Sequence, residues 1–334
     1  MGTKNHIQDF VRSALLISCM LILTKVNAQE LLPQSAYPII EHTAYSLGYS
    51  ETHEQAAWVY YLLTKEETNA LYERTDRFVE DPLVETGSAS NADYAGSGYD
   101  RGHLAPAADM AWSAETMAES FYFSNMSPQD PSFNRGIWKK LEEQVRNWAF
   151  YYDSMYVVTG PVLQDSLLGI GVNHVSVPKY YYKVLLDLDP SHFQAIGFLL
   201  PNQKSSEALA HFIVSVDSIE QLTGIDFYAD LNDSLENAFE SRSEPDQWNW
   251  DVASLRPAST KINTETTQCL GNTKAGARCQ NNTSNPNSYC HLHQSQYVAE
   301  PQQLDEAVQC SGITQKGARC SRMTKNATHR CYQH

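Results

Sequence analysis

One short stretch of this sequence combines a histidine with charged neighbours and glycines. The segment Asp100-Arg101-Gly102-His103 lies at its centre, and two more glycines stand at positions 96 and 98. Glycine allows backbone conformations that other residues avoid, so a loop or bent strand here can bring charged side chains close to a ligand. Histidine titrates near neutral pH and can take a proton from water when a neighbour orients its ring. His103 is therefore a candidate general base, although a turn whose histidine satisfies a carbonyl would explain the same residues.

A second stretch, further along the chain, predicts a helix that carries an amide and a carboxylate. Asp130 suits the N-cap and Pro131 suits the first helical position. Apolar residues then recur at helical spacing and would face the core, namely Ile137, Trp138 and Leu141. Asn134 and Glu142 would lie on roughly the same face, about two turns apart. Taken alone, this pattern would also fit a capping amide and an ordinary surface charge.

Together, the two stretches resemble the DNA/RNA non-specific endonucleases, which belong to the ββα-metal group of nucleases. The resemblance rests on the DRGH segment and on the later Asn-x3-Trp-x2-Leu-Glu pattern. It covers roughly residues 55 to 228 and includes further motifs in the same order: Phe121-Tyr122-Phe123, 156–161, Val177-Pro178 with the aromatic run to Lys183, and 222–227. It implies an α+β fold in which a hairpin carrying His103 packs on a helix carrying Asn134.

The resemblance also implies a reaction and its catalytic residues. A metal-dependent endonuclease would hydrolyse phosphodiester bonds of DNA and RNA with little sequence preference. His103 would deprotonate the attacking water, and Asn134 would be the only direct protein ligand of one Mg²⁺ or Mn²⁺. Glu142 and Asp100 would hold waters of that ion.

Three further residues are predicted to contact phosphate or nucleic acid. Arg101 would meet a phosphate as part of the catalytic site, with structural packing as the alternative. The family often carries a basic residue that faces the scissile phosphate; we assign it to Arg77, with Arg74 as the alternative, and a solvated surface arginine would explain either. Asn125 matches a family asparagine, with an internal hydrogen bond as its alternative role.

The surrounding sequence mixes strand-like and helix-like patterns without a βαβ rhythm. Strands are expected near 58–63, 154–159, 175–186 and 195–200, and helices from Thr64 and over 212–222. This mixture argues for an α+β domain with a largely antiparallel central sheet and flanking helices. The length of 334 residues, with 42% hydrophobic residues, predicts one main domain plus additional segments.

The N-terminus has features of an export signal. Lys4 and Arg12 precede an apolar run at 14–23, which is too short to span a bilayer comfortably. Small residues up to Ala28 then offer a signal-peptidase site. We expect cleavage after Ala28, export to a secreted or periplasmic location and no stable membrane partner. A lipid anchor at Cys19 and a buried N-terminal helix are the alternatives.

The C-terminal part contains a duplicated set of three cysteines and one histidine. The two copies have identical spacings and consist of Cys269, Cys279, Cys290 and His293, then Cys310, Cys320, Cys331 and His334. Each copy matches a closed tetrahedral zinc site, whose metal supplies folding energy that so short a segment cannot obtain by burial. Each copy also resembles a short Cys3His repeat appended to many unrelated bacterial proteins. Disulfides are the alternative in an oxidising compartment, although three cysteines cannot all pair within one repeat.

These features predict an order of segments and a contrast in charge. The segments are a signal peptide at 1–28, an endonuclease domain at 29–255, a linker at 256–268, one small Cys3His module at 269–293, a linker at 294–309 and a second module at 310–334. Residues 256–334 hold nine Lys and Arg against four Asp and Glu, whereas the preceding residues hold 15 against 35. Because an acidic domain repels polyphosphate, we expect the basic tail to tether nucleic acid, with cell-wall or protein binding as the alternative.

Two other classes of function stay open at this point. A catalytically inactive secreted protein could bind nucleic acid or a surface through the C-terminal repeats, but the intact His103, Asn134 and Glu142 favour an enzyme. A toxin delivered by its tail is a third hypothesis. DNA and RNA are the expected substrates, and a homodimer is one expected assembly.

Overall fold

The computed structural model describes residues 31–229, 231, 245–257 and 266–297, together with strands at 303–309 and 323–326. The chain divides into two compact units, Met1–Asn263 and Thr264–His334. The predicted signal peptide and the four ligand residues of the second repeat lie outside the described residues. The finer domain boundaries predicted from the sequence stay predictions.

The first unit contains eleven strands in the part of the chain that the structure describes. They are β1 (Ile39–Glu41), β2 (Ser46–Ser50), β3 (Gln55–Thr64), β4 (Asp100–His103), β5 (Met126–Gln129), β6 (Ser154–Pro161), β7 (Gly169–Ile170), β8 (Val175–Ser176), β9 (Tyr180–Asp187), β10 (Gln194–Pro201) and β11 (Ile213–Val214). Seven of them form one antiparallel sheet in the order β1-β2-β3-β6-β9-β10-β11. The predicted α+β class with a largely antiparallel sheet is confirmed.

Short helices and turns connect the strands of this unit. The α-helices are α1 (Asn91–Tyr94), α2 (Ala114–Glu119), α3 (Pro131–Phe133), α4 (Lys139–Tyr151) and α5 (Val216–Thr223). A π-helical turn, Asn134–Trp138, joins α3 to α4, and 3-10 turns occur at Phe123–Asn125, Leu209–Phe212 and Pro245–Gln247. The second unit contains β12 (Thr267–Gln268), β13 (Asn282–Thr283), the 3-10 turn Gln294–Gln296, β14 (Gln303–Gln309) and β15 (Met323–Asn326).

Strand β3 lies between two cores, because its alternate side chains point to opposite faces of the sheet. Trp58 and Tyr60 enter one core, which Val216 and Ile219 of α5 cover. Val59, Tyr61 and Leu63 enter the other core, together with apolar residues of α4 and the turn before it: Ile137, Trp138, Leu141, Val145 and Trp148. Each such side chain contributes roughly 1.5–3 kcal/mol when fully buried. Helix α4 is therefore fixed against the sheet by its apolar face.

The segment that leads into α4 has a defined beginning and a kink. The carboxylate of Asp130 accepts hydrogen bonds from the backbone N–H groups of Ser132 (2.8 Å) and Phe133 (3.2 Å), and Pro131 occupies the first turn. The predicted N-cap is thus confirmed. Within the π-helical turn, Gly136 has φ −107° and ψ −109°, which interrupts the regular helix. π-Helical turns often occur at functional sites, and this one begins at Asn134.

Candidate active site

The hairpin β4–β5 carries the DRGH segment. Asp100 lies opposite Gln129 and His103 lies opposite Met126 in the antiparallel register. A Cβ atom at position 102 would overlap the buried side chain of Gln129, so only glycine fits there. The glycine of DRGH therefore leaves room on strand β4 for the Gln129 side chain of the neighbouring strand β5.

The His103 imidazole is buried at 8% exposure between two phenylalanines. Its ring centroid lies 4.9 Å from that of Phe121 and 5.9 Å from that of Phe78. Burial, helped by the positive charges of Arg74 and Arg101, lowers the pKa of His103 to about 3. Its Nε2 atom has no hydrogen-bond partner among the described residues. The ring is therefore neutral at neutral pH and keeps a nitrogen free to accept a proton.

Asp100 and Asn134 meet where the hairpin and the π-helical turn approach each other. Asn134 donates a hydrogen bond from Nδ2 to Asp100 Oδ2 at 3.0 Å. Arg135 donates to the same carboxylate from Nε (2.8 Å) and Nη2 (2.6 Å). Because Nδ2 is engaged, the amide oxygen of Asn134 is the atom left to bind a ligand. Sequence reasoning missed Arg135, although its position directly after Asn134 was a usable signal.

Three guanidinium groups line a cleft of about 650 Å³ that also contains Asp100 and Asn134. Arg74 packs over the Phe121 ring at 4.8 Å, and Arg101 packs over the Phe78 ring at 4.2 Å. The third guanidinium is that of Arg135. Arg101 also donates to Asn91 Oδ1 at 2.5 Å, so its guanidinium is both packed and held. Asp76 also lines the cleft and accepts a hydrogen bond from Arg74 Nε at 2.6 Å, so the lining holds three guanidinium groups and two carboxylates, one excess positive charge in an acidic unit.

Glu142 lies beside a cluster of charges under the site. Burial raises the pKa of its carboxyl, against the opposing effect of Arg146 and Lys183. Lys183 is fully buried, and its Nζ lies 4.9 Å from the Trp138 ring centroid without a hydrogen-bond partner among the described residues. The positive charge of Arg74 acts to lower the pKa of both Glu142 and His103, although neither residue lines the cleft.

A buried ion pair completes the charge cluster behind Glu142. Arg146 donates from Nη1 to Asp109 Oδ1 at 2.7 Å, and Tyr61 donates its hydroxyl to Asp109 Oδ2 at 2.8 Å. Both charged side chains are nearly inaccessible to solvent, at 8% and 0% exposure. A buried carboxylate needs such partners, because an unpaired charge in the interior is strongly unfavourable. The pair connects α4 to the loop after β4 and to β3.

Asn125 and Arg77, both predicted to contact nucleic acid, are not among the residues that line the cleft. Asn125 is fully buried, and its side-chain amide forms hydrogen bonds inside the protein. Oδ1 accepts from Ala105 N–H, and Nδ2 donates to the carbonyls of Ala105 and Ser120. Arg77 is exposed but does not line the cleft, whereas Arg74 does. The nucleic-acid roles of Arg77 and Asn125 stay predictions; the contacts of Asn125 match its alternative role, an internal hydrogen bond, and Arg74 rather than Arg77 lines the cleft.

The second unit gathers the four ligand residues of the first repeat. The ligand atoms of Cys269, Cys279, Cys290 and His293 all lie within 4.8 Å of one another. The Sγ atoms of Cys279 and Cys290 are 3.9 Å apart, and His293 Nδ1 lies 3.5 Å from Cys269 Sγ and 3.4 Å from Cys290 Sγ. Tetrahedral zinc with Zn–S near 2.3 Å and Zn–N near 2.0 Å requires edges of about 3.8 Å and about 3.5 Å. The cluster therefore has the dimensions of a Cys3His zinc centre, and these three cysteines are unpaired.

Comparison with known proteins identifies the first unit. The family model described as DNA/RNA non-specific endonuclease matches residues 24–234. The chain belongs to this family. A DNA/RNA non-specific endonuclease is an enzyme that acts on nucleic acid. The arginines of the cleft are consistent with such an enzyme, because nucleic acid carries negatively charged phosphates.

Individual members of the family are similar over most of the same region. Mitochondrial endonuclease G of Bos taurus is 36% identical over 203 residues, which is 56% of this chain and 68% of that protein. Nuclease C1 of Cunninghamella echinulata var. echinulata is 35% identical over 217 residues, which is 60% of this chain and 86% of that protein. A crystal structure of the EndoG/EndoGI complex has a TM-score of 0.57 and 32% identity, and covers 61% of this chain and 91% of that chain.

The comparisons overturn the predicted localisation. Endonuclease G of Bos taurus and nuclease EXOG of Homo sapiens, which is 34% identical over 209 residues, are named as mitochondrial proteins, which does not fit export through a signal peptide. The family match also begins at residue 24, before the expected cleavage after Ala28. The prediction of a secreted or periplasmic protein is therefore wrong. No described helix is long and apolar enough to cross a membrane.

Proposed function

We propose that this endonuclease hydrolyses phosphodiester bonds of both DNA and RNA, with His103 as general base and one Mg²⁺ or Mn²⁺ held by Asn134. One observation carries the proposal. The 3.0 Å contact between Asn134 Nδ2 and Asp100 brings an amide and a carboxylate together in a cleft that three arginines also line, and His103 ends the strand β4 that Asp100 begins. These are the groups that phosphodiester hydrolysis requires: a base, an oxygen ligand for a cation and positive charges for phosphate.

The donor atoms around the cleft fit a hard divalent cation. Asn134 and Asp100 in the cleft offer an amide oxygen and a carboxylate, and Glu142, which does not line the cleft, offers a second carboxylate; these are the oxygen ligands that Mg²⁺ prefers. Glu142 receives no hydrogen bond from the described residues, so its carboxylate is available to hold the ion indirectly. Asp100 is partly neutralised by Arg135 and is better placed to orient Asn134 than to bind the ion itself. When bound, the ion would stabilise the charge that develops on the phosphoryl group and on the leaving 3′ oxygen.

His103 would take the proton of the attacking water. With its pKa lowered to about 3, the imidazole is unprotonated at neutral pH but is a weak base, and a phosphate bound by Arg74 and Arg101 would offset their charges and raise that pKa toward the range that general-base catalysis needs. The water oxygen then forms the new bond to phosphorus, the bond to the 3′ oxygen breaks, the 3′ alkoxide takes a proton from solvent, and His103 returns its proton to solvent. The two phenylalanines hold the ring in place.

The arginines would bind the phosphate. Arg74 and Arg101 are each packed on an aromatic ring, which fixes their planes and lowers the entropy lost on binding. Guanidinium groups bind phosphate oxygens through paired hydrogen bonds. No base-specific pocket is required by this arrangement, so we expect cleavage with little dependence on sequence.

The second unit would bind zinc in its first repeat and tether nucleic acid, which would raise the local concentration of substrate. The dimensions of the Cys3His cluster support zinc, and the excess of basic residues after position 255 supports attraction to polyphosphate. The same spacing in the second repeat implies a second zinc at Cys310, Cys320, Cys331 and His334.

Digestion of plasmid DNA and of RNA tests the proposed function. The full chain should cut both substrates with added Mg²⁺ and stop when EDTA is added. His103→Ala and Asn134→Ala should each lose this activity while keeping the wild-type circular dichroism spectrum, and His211→Ala, at an exposed position that does not line the cleft, serves as the matched control. If well-folded wild type cut neither substrate, the chain would instead be an inactive nucleic-acid-binding or surface-binding protein that acts through its C-terminal repeats.

A further inference from the structure

A second cleft, of about 640 Å³, begins where the catalytic cleft ends. Tyr99 lines both clefts. Tyr99 directly precedes β4 and Asp130 directly follows β5, and the pairing of Asp100 with Gln129 places both at the same end of the hairpin. A polynucleotide that crosses the catalytic cleft toward this end would therefore reach the second cleft next.

We propose that this second cleft is a subsite for a nucleotide that flanks the scissile phosphate on a single strand of DNA or RNA. The proposal rests on the proposed nuclease function and names how the enzyme holds its substrate beyond the bond that is cut. The remaining lining comes from the loop before β7, from the start of β9 and from the end of β10.

The cleft offers a surface on which a base can stack. Tyr180, at the start of β9, is 43% exposed although its neighbours in the strand are buried. Leu168 is 78% exposed on the opposite loop. Aromatic side chains that stack on bases are the usual means of binding single strands without reading sequence. A base seated between Tyr180 and Leu168 would remove this apolar area from water.

The charges of the cleft also suit a phosphate. Lys179 is exposed and forms no ion pair within the described residues. Asp130 contributes the one carboxylate among the described lining residues, and it is occupied as the N-cap of α3 by the N–H groups of Ser132 and Phe133. The cleft therefore presents one free positive charge, and the capping bonds engage one oxygen, Oδ1, of its single carboxylate, in a unit whose surface is otherwise acidic.

Asn202 makes the cleft a preformed site. Its Nδ2 donates to the carbonyls of Pro128 (3.1 Å) and Pro178 (2.9 Å), and its Oδ1 accepts from the N–H of Asp130 (2.8 Å). One side chain thus ties the end of β10 to the hairpin and to the segment that carries Lys179 and Tyr180. A subsite that is rigid before binding loses little conformational entropy when its ligand arrives.

The test compares two substrates in the full-length enzyme. A single-stranded dodecanucleotide can occupy the subsite, whereas bis(p-nitrophenyl) phosphate has a diester bond but no flanking nucleotide. We expect Tyr180→Ala to raise KM for the dodecanucleotide about 5- to 10-fold, from the loss of one stacking contact, without changing hydrolysis of the small diester. Tyr180→Phe should restore the wild-type KM. Tyr151→Ala, which removes a tyrosine that is 41% exposed on α4, is the matched control.

Binding measured without cleavage separates failure of the subsite from failure of the proposed function. In EDTA, the affinity of the full chain for a fluorescein-labelled dodecanucleotide should fall in Tyr180→Ala, and Lys179→Gln should reduce the slope of log affinity against log salt by about one. An unchanged affinity in both variants, or an equal loss on both substrates in Tyr180→Ala, would overturn the subsite. A wild type that binds the strand but hydrolyses neither substrate would overturn the nuclease function and leave the subsite standing.

Discussion

His103 should make the folded protein sensitive to mild acid, because the folded state keeps this imidazole neutral. Burial, with Arg74 and Arg101 nearby, lowers the pKa of His103 to about 3, whereas an unfolded histidine titrates near about 6.5. Between these values the unfolded state binds a proton that the folded state does not. The contribution of His103 to stability is therefore complete above about pH 6.5 and is lost as the pH falls toward about 3.

The size of the loss follows from the pKa difference. At about pH 4.5, two units below the unfolded pKa, His103 alone lowers the free energy of unfolding by about 2.7 kcal/mol. In a domain of 150 to 250 residues, 1 kcal/mol corresponds to about 2–4 °C, so this term lowers Tm by about 5–11 °C. His103→Gln removes this titrating side chain, so its Tm should fall by about 5–11 °C less than the Tm of wild type over the same change in pH.

Thermal unfolding in EDTA, followed by circular dichroism at about pH 7.5 and about pH 4.5, measures the effect. Carboxylates contribute to the total change in Tm, so the readout is the difference between wild type and His103→Gln. His211→Gln, at an exposed position, controls for the substitution itself and should follow the wild type. If wild type and His103→Gln lost the same number of degrees, burial would not hold His103 neutral in the folded state, and the reasoning from its surroundings would be refuted.

Three further predictions concern the arginines and the zinc centre. Arg135→Gln releases Asp100 and removes a positive charge from the cleft, so we expect a higher KM for DNA and a salt slope smaller by about one in steady-state assays. Arg146→Met leaves Asp109 buried and unpaired, which should cost about 3–5 kcal/mol in chemical unfolding, and the double variant Asp109→Asn/Arg146→Met should lose less than the sum of the two single losses. Cys290→Ser should lower the zinc content by one ion per chain, measured by elemental analysis of the purified protein. If the zinc content of the variant equalled that of wild type, and wild type had fewer free thiols than cysteines, disulfides would be favoured instead.

The sequence predicts the elements around the site where local signals are strong. Asp130 and Pro131 mark the start of α3, and the apolar period after them places Trp138 against the sheet, because capping and burial depend on nearby residues only. The expected strand at 175–186 is instead two strands, Val175–Ser176 and Tyr180–Asp187. Pro178 between them cannot donate a ladder hydrogen bond.

Other features depend on contacts that no local pattern records. The helix expected from Thr64 is a turn, because Thr64 ends β3 and its N–H donates to the Glu67 carboxylate. The bonds from Arg135 to Asp100 span 35 residues, and the pair of Arg146 with Asp109 spans 37. Such long-range pairs are decided by the packing of the hairpin and of α4 on the sheet, and this is also why the choice between Arg74 and Arg77 required the structure.

The sequence also predicts the arrangement of the first repeat more completely than that of the catalytic cleft. Metal ligands at fixed spacing specify their own geometry, and Cys269, Cys279, Cys290 and His293 come together as expected. In the cleft, by contrast, the roles of Asp100 and Asn134 are set by one hydrogen bond between two distant segments.

Metal binding in the two key variants separates the roles of Asn134 and His103 most directly. Calorimetric titration of Mn²⁺ into the zinc-loaded full chain should give one binding event in wild type and in His103→Ala, and none in Asn134→Ala, while both variants fail to cut DNA. This pattern would assign Asn134 as the metal ligand and His103 as the base. Wild-type Mn²⁺ binding in Asn134→Ala, or loss of binding in His103→Ala, would contradict the proposed site.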